Sequence, residues 1–399
     1  MKKIAIIGFG VVGSGVYEII RKNKQALTQK AGEEIDIKKI LDIRDFSSHE
    51  ESNLFTKDFD DILNDSEISI VVETMGGIKF AYDYTKAALS AGKSVVTSNK
   101  ELVAAHGDEF FRIAKENNVR YLYEASVGGG IPIIRPLAND VSANEVEEIS
   151  GILNGTTNYI LTKMFRENDS FDAALKTAQE LGYAEKDPTA DVDGIDASRK
   201  ISILMSLATG KKIDSGDVHT VGIRNITAED VTYAAAIGCT IKLIGNGFVK
   251  DGKANASVEP MLIPESCPLA SVVDVFNGVM VKGNMVDNLM FYGRGAGKLP
   301  TASAVVGDIV DIVRSPGYNS YFTWGESDKE SFIPYEDVCA KFFVRIGESE
   351  KGKVKEIFGD VEIIKGVSDY GFVTPVMKIG ELENKLSAIN VVSKIRIFK

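Results

Sequence analysis

A glycine-rich turn near the start of the chain constrains the fold more than any other feature. Residues 2–7 form a short, largely apolar run that suits a buried parallel strand. A G-x-G-x-x-G pattern follows at once and leads into a helix-like segment; its residues are Gly8, Phe9, Gly10, Val11, Val12 and Gly13. Glycines here allow a tight turn, and the amides at a helix N-terminus can hold a pyrophosphate. The pattern predicts dinucleotide binding, with a ligand-free strand-to-helix turn as the alternative.

Strand-like and helix-like segments alternate up to about residue 140, which predicts a Rossmann-type α/β domain with a parallel sheet. Further strands are predicted at Ile35–Ile43, Ile68–Val72, Lys93–Lys100 and Val119–Tyr123. Ligands of open α/β sheets bind at the carboxyl ends of the strands. Lys100 stands at such an end and is therefore a candidate to contact cofactor or substrate, although a lysine on a solvated turn is the simpler interpretation.

The end of the second predicted strand bears on the choice of dinucleotide. A carboxylate there favours the free ribose of NAD, whereas an arginine can bind the 2′-phosphate of NADP. Both Arg44 and Asp45 stand at this boundary. The sequence favours NADP slightly and leaves NAD open.

Charge and composition exclude several classes of function. The net charge of −11 argues against a nucleic-acid or anionic-membrane partner. The three cysteines and three histidines are dispersed, so zinc centres and Ser-His-Asp hydrolases are poorly supported. The chain shows neither a secretory leader nor an apolar run long enough for a membrane span. We expect a cytoplasmic protein that acts on a small molecule.

An acidic stretch around residues 185–200 holds the main candidates for chemistry. It contains Glu185, Asp191 and Asp196, and Lys200 follows Asp196 by four residues. On the helix predicted after Gly194, this spacing places Asp196 and Lys200 on one face. Such a lysine could handle a polar substrate and a proton. By spacing alone, an acidic loop followed by a helix with a surface ion pair is the simpler interpretation.

The residues themselves are more specific than their spacing. The stretch closely resembles the signature of homoserine dehydrogenases, and residues 151–161 (Gly-Ile-Leu-Asn-Gly-Thr-Thr-Asn-Tyr-Ile-Leu) belong to the same pattern; the signature residues are Ala178, Gly182, Tyr183, Asp187, Pro188, Asp191, Gly194, Asp196 and Lys200. The resemblance implies reversible NAD(P)-dependent reduction of L-aspartate 4-semialdehyde to L-homoserine, in threonine, isoleucine and methionine biosynthesis. It also implies a homodimer or higher homo-oligomer.

For the catalytic residues, the expected reaction sets a clear requirement. Reduction develops negative charge on the aldehyde oxygen, and a nearby ammonium can stabilise that charge and donate the proton. Lys200 is the first candidate, oriented by Asp196. Glu185 and Asp191 suit the substrate's ammonium or hydroxyl, and Lys100 suits its carboxylate or a proton relay.

For the cofactor and a cation, the resemblance nominates further residues. Thr74, Gly182, Lys100 and Gly297 are expected near the cofactor. Gly297 belongs to a second glycine-rich loop, residues 293–297, which precedes a helix and could also be a plain connection. The resemblance further implies a sodium site formed by Glu124 with backbone oxygens of three residues, Val127, Gly129 and Ile131.

Three domains are expected along the chain. Residues 1–140 form the dinucleotide-binding domain, completed by the helix after residue 297 up to about residue 315. Residues 141–320 form an α+β domain for substrate binding, catalysis and dimerisation. Residues 335–399 show the order β-α-β-β-α-β, which is ferredoxin-like and resembles the ACT domain. The usual ligand loop of an ACT domain is missing after the first of these strands, which leaves the role of this segment open.

Two other functions are alternatives to the reaction that the resemblance implies. One is a nicotinamide oxidoreductase for another small amino acid, such as an aspartate dehydrogenase, against which residues 151–200 argue. The other is a sensor that binds nucleotide and amino acid without turnover. A sensor has no need of the paired Asp196 and Lys200.

Overall fold

The computed structural model describes residues 1–364 and 369–398, which form two compact units. The first consists of Met1–Ala143, Ser206–Asp214 and Gly293–Ser327. The second consists of Asn144–Met205, Ser215–Tyr292 and the chain from Asp328 onward. In the described part of the chain, none of the helices has both the length and the apolar character needed to cross a bilayer.

The first unit is built on a parallel sheet with its strands in the order β3-β2-β1-β4-β5-β6. This is the strand order of the Rossmann fold, as predicted. The strands are β1 Lys2–Ile7, β2 Ile35–Leu41, β3 Phe55–Thr56, β4 Ile68–Glu73, β5 Ser94–Thr97 and β6 Tyr121–Leu122. The helices that join them are α1 Val11–Lys22, α2 Lys24–Ala31, α3 Asp60–Leu63, α4 Lys79–Ser90 and α5 Lys100–Glu116.

Several strand boundaries differ from the prediction. Strand β5 ends at Thr97, so Lys100 begins α5 rather than ending the strand, and β6 is limited to Tyr121–Leu122. Strand β2 ends at Leu41 rather than at Ile43, whose side chain is 85% exposed. The backbone turns here because the Asp42 carboxylate accepts hydrogen bonds from the amides of Phe9 and Arg44. Asp42, rather than Arg44 or Asp45, therefore directly follows the strand.

The second unit is built on a mixed sheet of longer strands. Its elements up to residue 294 are β7 Val146–Ile152, α6 Gly155–Glu167, α7 Phe171–Glu180, α8 Thr189–Val192, α9 Ile195–Thr209, β8 His219–Thr220, α10 Ala228–Ala236, β9 Cys239–Lys250, β10 Lys253–Pro264, β11 Phe276–Gly283 and β12 Asp287–Arg294. The helix predicted after Gly194 is confirmed as α9. The acidic loop before it is less irregular than predicted, since it contains the short helix α8.

Helix α11, Lys298–Arg314, belongs to the first unit and packs on α1. The approach is close at Gly15, where an added Cβ would lie 2.9 Å from the Cβ of Ala302. Lys298 also donates a hydrogen bond to Glu18 at 2.7 Å. The close packing of the two helices thus explains why residue 15 of α1 is glycine.

The C-terminal segment contains β13 Cys339–Ala340, β14 Phe342–Ile346, α12 Lys351–Phe358, β15 Glu362–Ile364, β16 Tyr370–Val373, β17 Met377–Lys378, α13 Ile379–Leu386 and β18 Val391–Ile397. Four of its strands lie in the order β18-β14-β16-β15 with antiparallel pairing, the ferredoxin-like arrangement. Strand β15 was predicted to extend to Val367, and residues 365–367 lie outside the described residues. Strand β18 pairs in parallel with β10, so the sheet runs continuously from β12 to β15.

Candidate active site

The glycine-rich turn after β1 has the geometry of a dinucleotide-binding turn. Gly8 has φ of 90°, a left-handed conformation that favours glycine. A Cβ at Gly13 would lie 2.0 Å from the carbonyl oxygen of Gly8, so this position also requires glycine. At Gly10, which precedes the first residue of α1, a Cβ would meet no protein atom within 4 Å. The turn is therefore tight on its protein side and open in front of the helix N-terminus, where a pyrophosphate would bind.

The side chains of this turn have different surroundings. The ring of Phe9 is buried and lies edge-on to the rings of Phe46 and Phe55, with centroids 5.3 and 5.0 Å away. Val11, the first residue of α1, is 67% exposed, and Val12 is half-buried. The side chains of Val11 and Val12 carry no polar group, so these residues can contribute to phosphate binding through their backbone amides, which belong to the first turn of α1.

Thr74 follows β4 and ties it to the glycine-rich turn. Its hydroxyl donates to the carbonyl oxygens of Gly8, at 2.8 Å, and Ile7, at 3.1 Å. The structure thus places Thr74 beside the glycine-rich turn. Its hydroxyl stabilises the turn, which is a structural role that the sequence did not indicate.

Asp42 is a site residue that the sequence reasoning missed. Its carboxylate accepts from Arg44 through Nε at 2.9 Å and Nη2 at 2.8 Å, and from the amide of Phe9 at 2.8 Å. Arg44 Nη2 also donates to the carbonyl of Phe9 at 2.9 Å. The Arg44 guanidinium holds the pKa of Asp42 well below its usual range. A carboxylate directly after β2 was the available signal, and it was obscured because the predicted strand was two residues too long.

Lys100 is the first residue of α5 and follows β5 at the carboxyl edge of the sheet. Asn99 caps this helix, because its Oδ1 accepts a hydrogen bond from the amide of Leu102 at 3.1 Å. Asn99 Nδ2 also donates to the carbonyl of Gly77 at 2.7 Å. Lys100 is half-buried on a turn that is fixed on both sides.

The Glu124 carboxylate is engaged by three backbone amides. Oε1 accepts from the amides of Ile133 and Ile134 at 2.7 and 2.9 Å, and Oε2 accepts from the amide of Arg135 at 2.9 Å. The Arg135 guanidinium also lies 3.8 Å from Oε2. Because these partners satisfy a side chain that is 1% exposed, the carboxylate does not fit the role of sodium ligand.

The loop with the other proposed sodium donors is packed against the second glycine-rich loop. The amide of Gly130 donates to the carbonyl of Arg294 at 3.1 Å. A Cβ at Gly129 would lie 2.4 Å from the carbonyl oxygen of Gly295. Gly297, with φ of 121°, precedes the first residue of α11, and its carbonyl accepts from the amide of Thr301. The two loops fix each other's backbone, and both contain predicted site residues.

The second unit brings together a buried polar cluster around Lys200. Lys200 Nζ donates to Asp196 Oδ2 and to the carbonyl of Leu153, both at 2.7 Å. Asn154 Nδ2 donates to the same Asp196 oxygen at 2.9 Å and to Asp191 Oδ1 at 2.7 Å. Lys200 and Asp196 are only 8% and 5% exposed, so the pair is not the solvated surface ion pair of the simpler interpretation.

Asn154 is the second site residue that the sequence reasoning missed. It caps α6, because its Oδ1 accepts from the amide of Thr157 at 2.9 Å. The cap fixes the side chain so that its amide nitrogen faces both carboxylates. The signal was an asparagine before Gly-Thr-Thr within residues 151–161, where a helix cap was recognisable and its second role was not.

Glu185 and Gly182, two further predicted site residues, form hydrogen bonds through their backbones. The Glu185 side chain is exposed, and it is the backbone carbonyl that accepts a hydrogen bond, from Gln179 Nε2 at 3.0 Å. Gly182 follows the end of α7 with φ of 75°, and its amide donates to the carbonyl of Gln179. The left-handed conformation accounts for glycine at this position.

Two family models match this chain. The family model for the homoserine dehydrogenase NAD-binding domain matches residues 8–124, and the homoserine dehydrogenase model matches residues 132–310. The homoserine dehydrogenase of Bacillus subtilis (strain 168) is 38% identical over 376 residues, which cover 92% of this chain and 86% of the relative.

Solved structures show the same similarity. A homoserine dehydrogenase from Thiobacillus denitrificans superimposes with a TM-score of 0.92 at 35% identity, covering 100% of this chain and 98% of the other. A hyperthermophilic archaeal homoserine dehydrogenase mutant, in complex with NADPH, gives a TM-score of 0.68 at 30% identity, covering 80% and 100%. The chain belongs to the homoserine dehydrogenase family.

Proposed function

We propose that Lys200, oriented by Asp196, is the proton donor when the enzyme reduces L-aspartate 4-semialdehyde to L-homoserine. The bound nicotinamide cofactor supplies the hydride. As the aldehyde oxygen becomes an alkoxide, an ammonium in a buried site stabilises the charge and transfers a proton. In the direction of homoserine oxidation, the same amine accepts the proton.

One observation carries this proposal. The Lys200 ammonium is held by two acceptors at 2.7 Å, one a carboxylate and one a backbone carbonyl, in a site that is almost closed to solvent. Within the described part of the chain, two hydrogen bonds use two of the three ammonium hydrogens, which leaves the third for a substrate oxygen. Fixing the group in this way reduces the reorganisation needed when the charge develops.

The remaining substrate contacts follow from charge. Asp191 lies beside Asn154 in the same cluster and suits the α-ammonium of the substrate. Lys100, at the carboxyl edge of the Rossmann sheet, is proposed to bind the substrate carboxylate or to relay a proton. The proposed role of Glu185 rests on the family signature alone.

The decisive experiment is Lys200→Ala. Turnover is expected to fall by about three orders of magnitude or more, because a buried general acid is removed. The affinity for NADPH, measured by fluorescence titration, is expected to change less than threefold. Parallel loss of both would contradict the assignment.

Lys176→Ala provides a matched control. Lys176 and Glu180 have the same four-residue spacing on α7, but their side chains are 78% and 66% exposed. This substitution removes a lysine from an exposed helical pair, so turnover is expected to remain unchanged. A comparable loss in both variants would show that the effect of Lys200→Ala is not specific.

For the cofactor, we propose NADP as the preferred dinucleotide. NAD is the alternative, which the Asp42 carboxylate directly after β2 would favour. The glycine-rich turn, from Gly8 to Gly13, holds the pyrophosphate through its backbone, and Thr74, Gly182 and Gly297 are proposed to line the rest of the cofactor site. The Arg44 guanidinium is more than half exposed beyond β2, where it can meet a 2′-phosphate. The NADPH complex of the archaeal relative supports this choice.

A sodium ion is proposed only for the backbone carbonyls of Val127, Gly129 and Ile131. These oxygens are of the type that a hard cation prefers, whereas the Glu124 carboxylate is engaged by three amides. We expect activity at constant ionic strength to be lower in choline chloride than in sodium chloride. Equal activity in both salts would exclude a functional sodium site.

We also propose that the chain is divided into three domains with separate roles. Residues 1–140 with α11 bind the cofactor, residues 141–320 bind the substrate, and residues 335–399 form the ACT-like segment.

A homodimer or higher homo-oligomer is proposed from the family resemblance. Light scattering of the purified enzyme tests this state, and a monomeric mass would contradict it.

A further inference from the structure

Glu73 is a fully buried acid at the functional edge of the Rossmann sheet. It is the last residue of β4, and its side chain is 0% exposed. Neighbouring positions in β4, such as Val71 and Val72, hold the apolar residues expected in a central parallel strand. A buried carboxyl group is costly unless its hydrogen bonds are made, so the partners of Glu73 indicate what the group does.

One partner lies in the loop after β4, and the other is the last residue of β5. Glu73 Oε1 accepts from the amide of Met75 at 2.7 Å, and Oε2 accepts from the Thr97 hydroxyl at 2.5 Å. The Thr97 hydroxyl in turn accepts from the amide of Asn99 at 2.9 Å. Asn99 Nδ2 donates to the carbonyl of Gly77 at 2.7 Å. The hydrogen bonds form a closed ring that joins the loop after β4 to the turn after β5.

The position of Lys100 depends on this ring. Asn99 is the cap of α5, and Lys100 is the next residue and the first of that helix. The Asn99 side chain is held from one side by Gly77 and its backbone amide is held from the other by Thr97. Releasing the Glu73 end frees both the loop at Met75 and the Thr97 hydroxyl that positions Asn99.

We propose that Glu73 is a positioning residue that acts through Lys100: its carboxyl group joins the loop after β4 to the turn that carries Lys100. This inference rests on the role proposed above for Lys100 in binding the substrate carboxylate or relaying a proton. Glu73 itself is fully buried, and it accepts hydrogen bonds from Met75 and Thr97. A displacement of the order of 1 Å at a group that orients substrate can cost about a hundredfold in rate.

The test is a double-mutant cycle on kcat/KM for L-aspartate 4-semialdehyde, with Glu73→Ala and Lys100→Met. We expect Glu73→Ala to lower kcat/KM by about ten- to a hundredfold. The double variant is expected to resemble Lys100→Met, because the effect of Glu73 is transmitted through Lys100. Glu73→Gln is expected to retain activity within about threefold, since a glutamine oxygen can accept from Met75 and its amide can donate to Thr97.

Thr85→Val controls for the loss of a buried polar group. Thr85 in α4 is 1% exposed, and its hydroxyl has no hydrogen-bond partner among the described residues. Its removal is expected to leave kcat/KM unchanged. Melting temperatures of all variants would identify any that fail to fold, and Glu73→Gln supplies the comparison if Glu73→Ala is one of them.

The outcomes separate this inference from the function on which it rests. Wild-type activity in Lys100→Met would overturn the role of Lys100 and the inference with it. Loss of activity in Lys100→Met with nearly wild-type kcat/KM in Glu73→Ala would overturn the inference alone. Independent, additive losses in the double variant would also overturn it, because a purely structural role of Glu73 predicts additivity.

Discussion

Arg345 Nε donates to Asp230 Oδ1 at 3.0 Å, and this ion pair joins the C-terminal segment to helix α10. The two side chains are 5% and 0% exposed. Arg345 also donates to Asp369 at 2.7 Å and to the hydroxyl of Thr227, the N-cap of α10, at 3.0 Å. A segment expected to form its own domain is therefore anchored in the unit that contains Lys200.

Arg345→Met should weaken this anchor. The substitution leaves Asp230 as a buried charge without its cation, which costs on the order of 3–5 kcal/mol. We expect that loss in the free energy of unfolding measured with urea. Lys351→Ala, which removes an exposed ion pair with Glu348, should leave it unchanged. Equal stability of Arg345→Met and the wild type would show that the segment docks without this contact.

Two glycine substitutions should separate folding from cofactor binding. Gly13→Ala places a methyl group against the carbonyl of Gly8 and is expected to lower the melting temperature clearly. Gly10→Ala meets no protein atom within 4 Å, so its melting temperature should be unchanged while NADPH binding weakens by about tenfold or more. The measurements are thermal unfolding without cofactor and fluorescence titration with NADPH. Normal NADPH affinity in Gly10→Ala would contradict the proposed pyrophosphate position.

Arg44→Leu should change cofactor preference. If the guanidinium binds the 2′-phosphate, KM for NADPH rises by on the order of tenfold and KM for NADH changes less than twofold. Steady-state kinetics with both cofactors measures the ratio. A similar rise for both cofactors would indicate instead that Arg44 acts by orienting Asp42, with which it is paired.

Asn154→Asp should impair turnover without removing the helix cap. An aspartate can still cap α6, but its carboxylate replaces the amide that faces Asp191 and Asp196, and three like charges then meet. We expect kcat to fall by about tenfold to a hundredfold. Ser170→Ala, which removes the cap of α7, is the control and should lower stability by about 1 kcal/mol while leaving kcat intact. Unchanged kcat in Asn154→Asp would remove Asn154 from the proposed site.

The pH dependence of the free energy of unfolding should reveal the titration of the Glu73 carboxyl group. Burial raises the pKa of this carboxyl group to about 7, although hydrogen bonds from Thr97 and Met75 oppose the shift. Because the pKa in the folded state lies above that in the unfolded state, the stabilising contribution is complete at low pH and is lost as the pH rises through 7. Between pH 5.5 and 8.5, the free energy of unfolding of the wild type should fall relative to Glu73→Gln by on the order of 2 kcal/mol. Parallel curves would show that Glu73 does not titrate in this range.

Much of the fold could be predicted from local patterns. The first strand, the glycine-rich turn and the helix that follows are adjacent in sequence. The role of Gly8, Gly10 and Gly13 could therefore be predicted from the residues on either side of them. The helix that begins at Ile195 was predicted because the spacing of its apolar residues is periodic. The pair of Asp196 and Lys200 was found for the same reason, as its partners are one helical turn apart.

Asp42 was missed although its partner Arg44 is only two residues away, because the predicted strand was two residues too long. Asn154 and Glu73 instead depend on partners distant in sequence. Asn154 acquires its second role only when the chain brings it to Asp196, 42 residues later. In the sequence, Glu73 is only a polar residue at the end of an apolar strand. Its hydrogen bond with Thr97 arises because β4 pairs with β5. The Glu124 carboxylate seemed suitable for a cation because the sequence does not show that the amides of Ile133, Ile134 and Arg135 turn toward it.

The pairing of β18 with β10 has a consequence for synthesis of the chain on the ribosome. Strand β10 contacts a strand that begins more than a hundred residues later, close to the last residue. Until that strand has emerged, the edge of β10 at Met261 and Leu262 lacks its pairing, and unpaired backbone groups there can recruit strands from other chains. A stop codon even slightly upstream of Val391 is therefore expected to yield a nascent protein that aggregates, rather than a shorter enzyme.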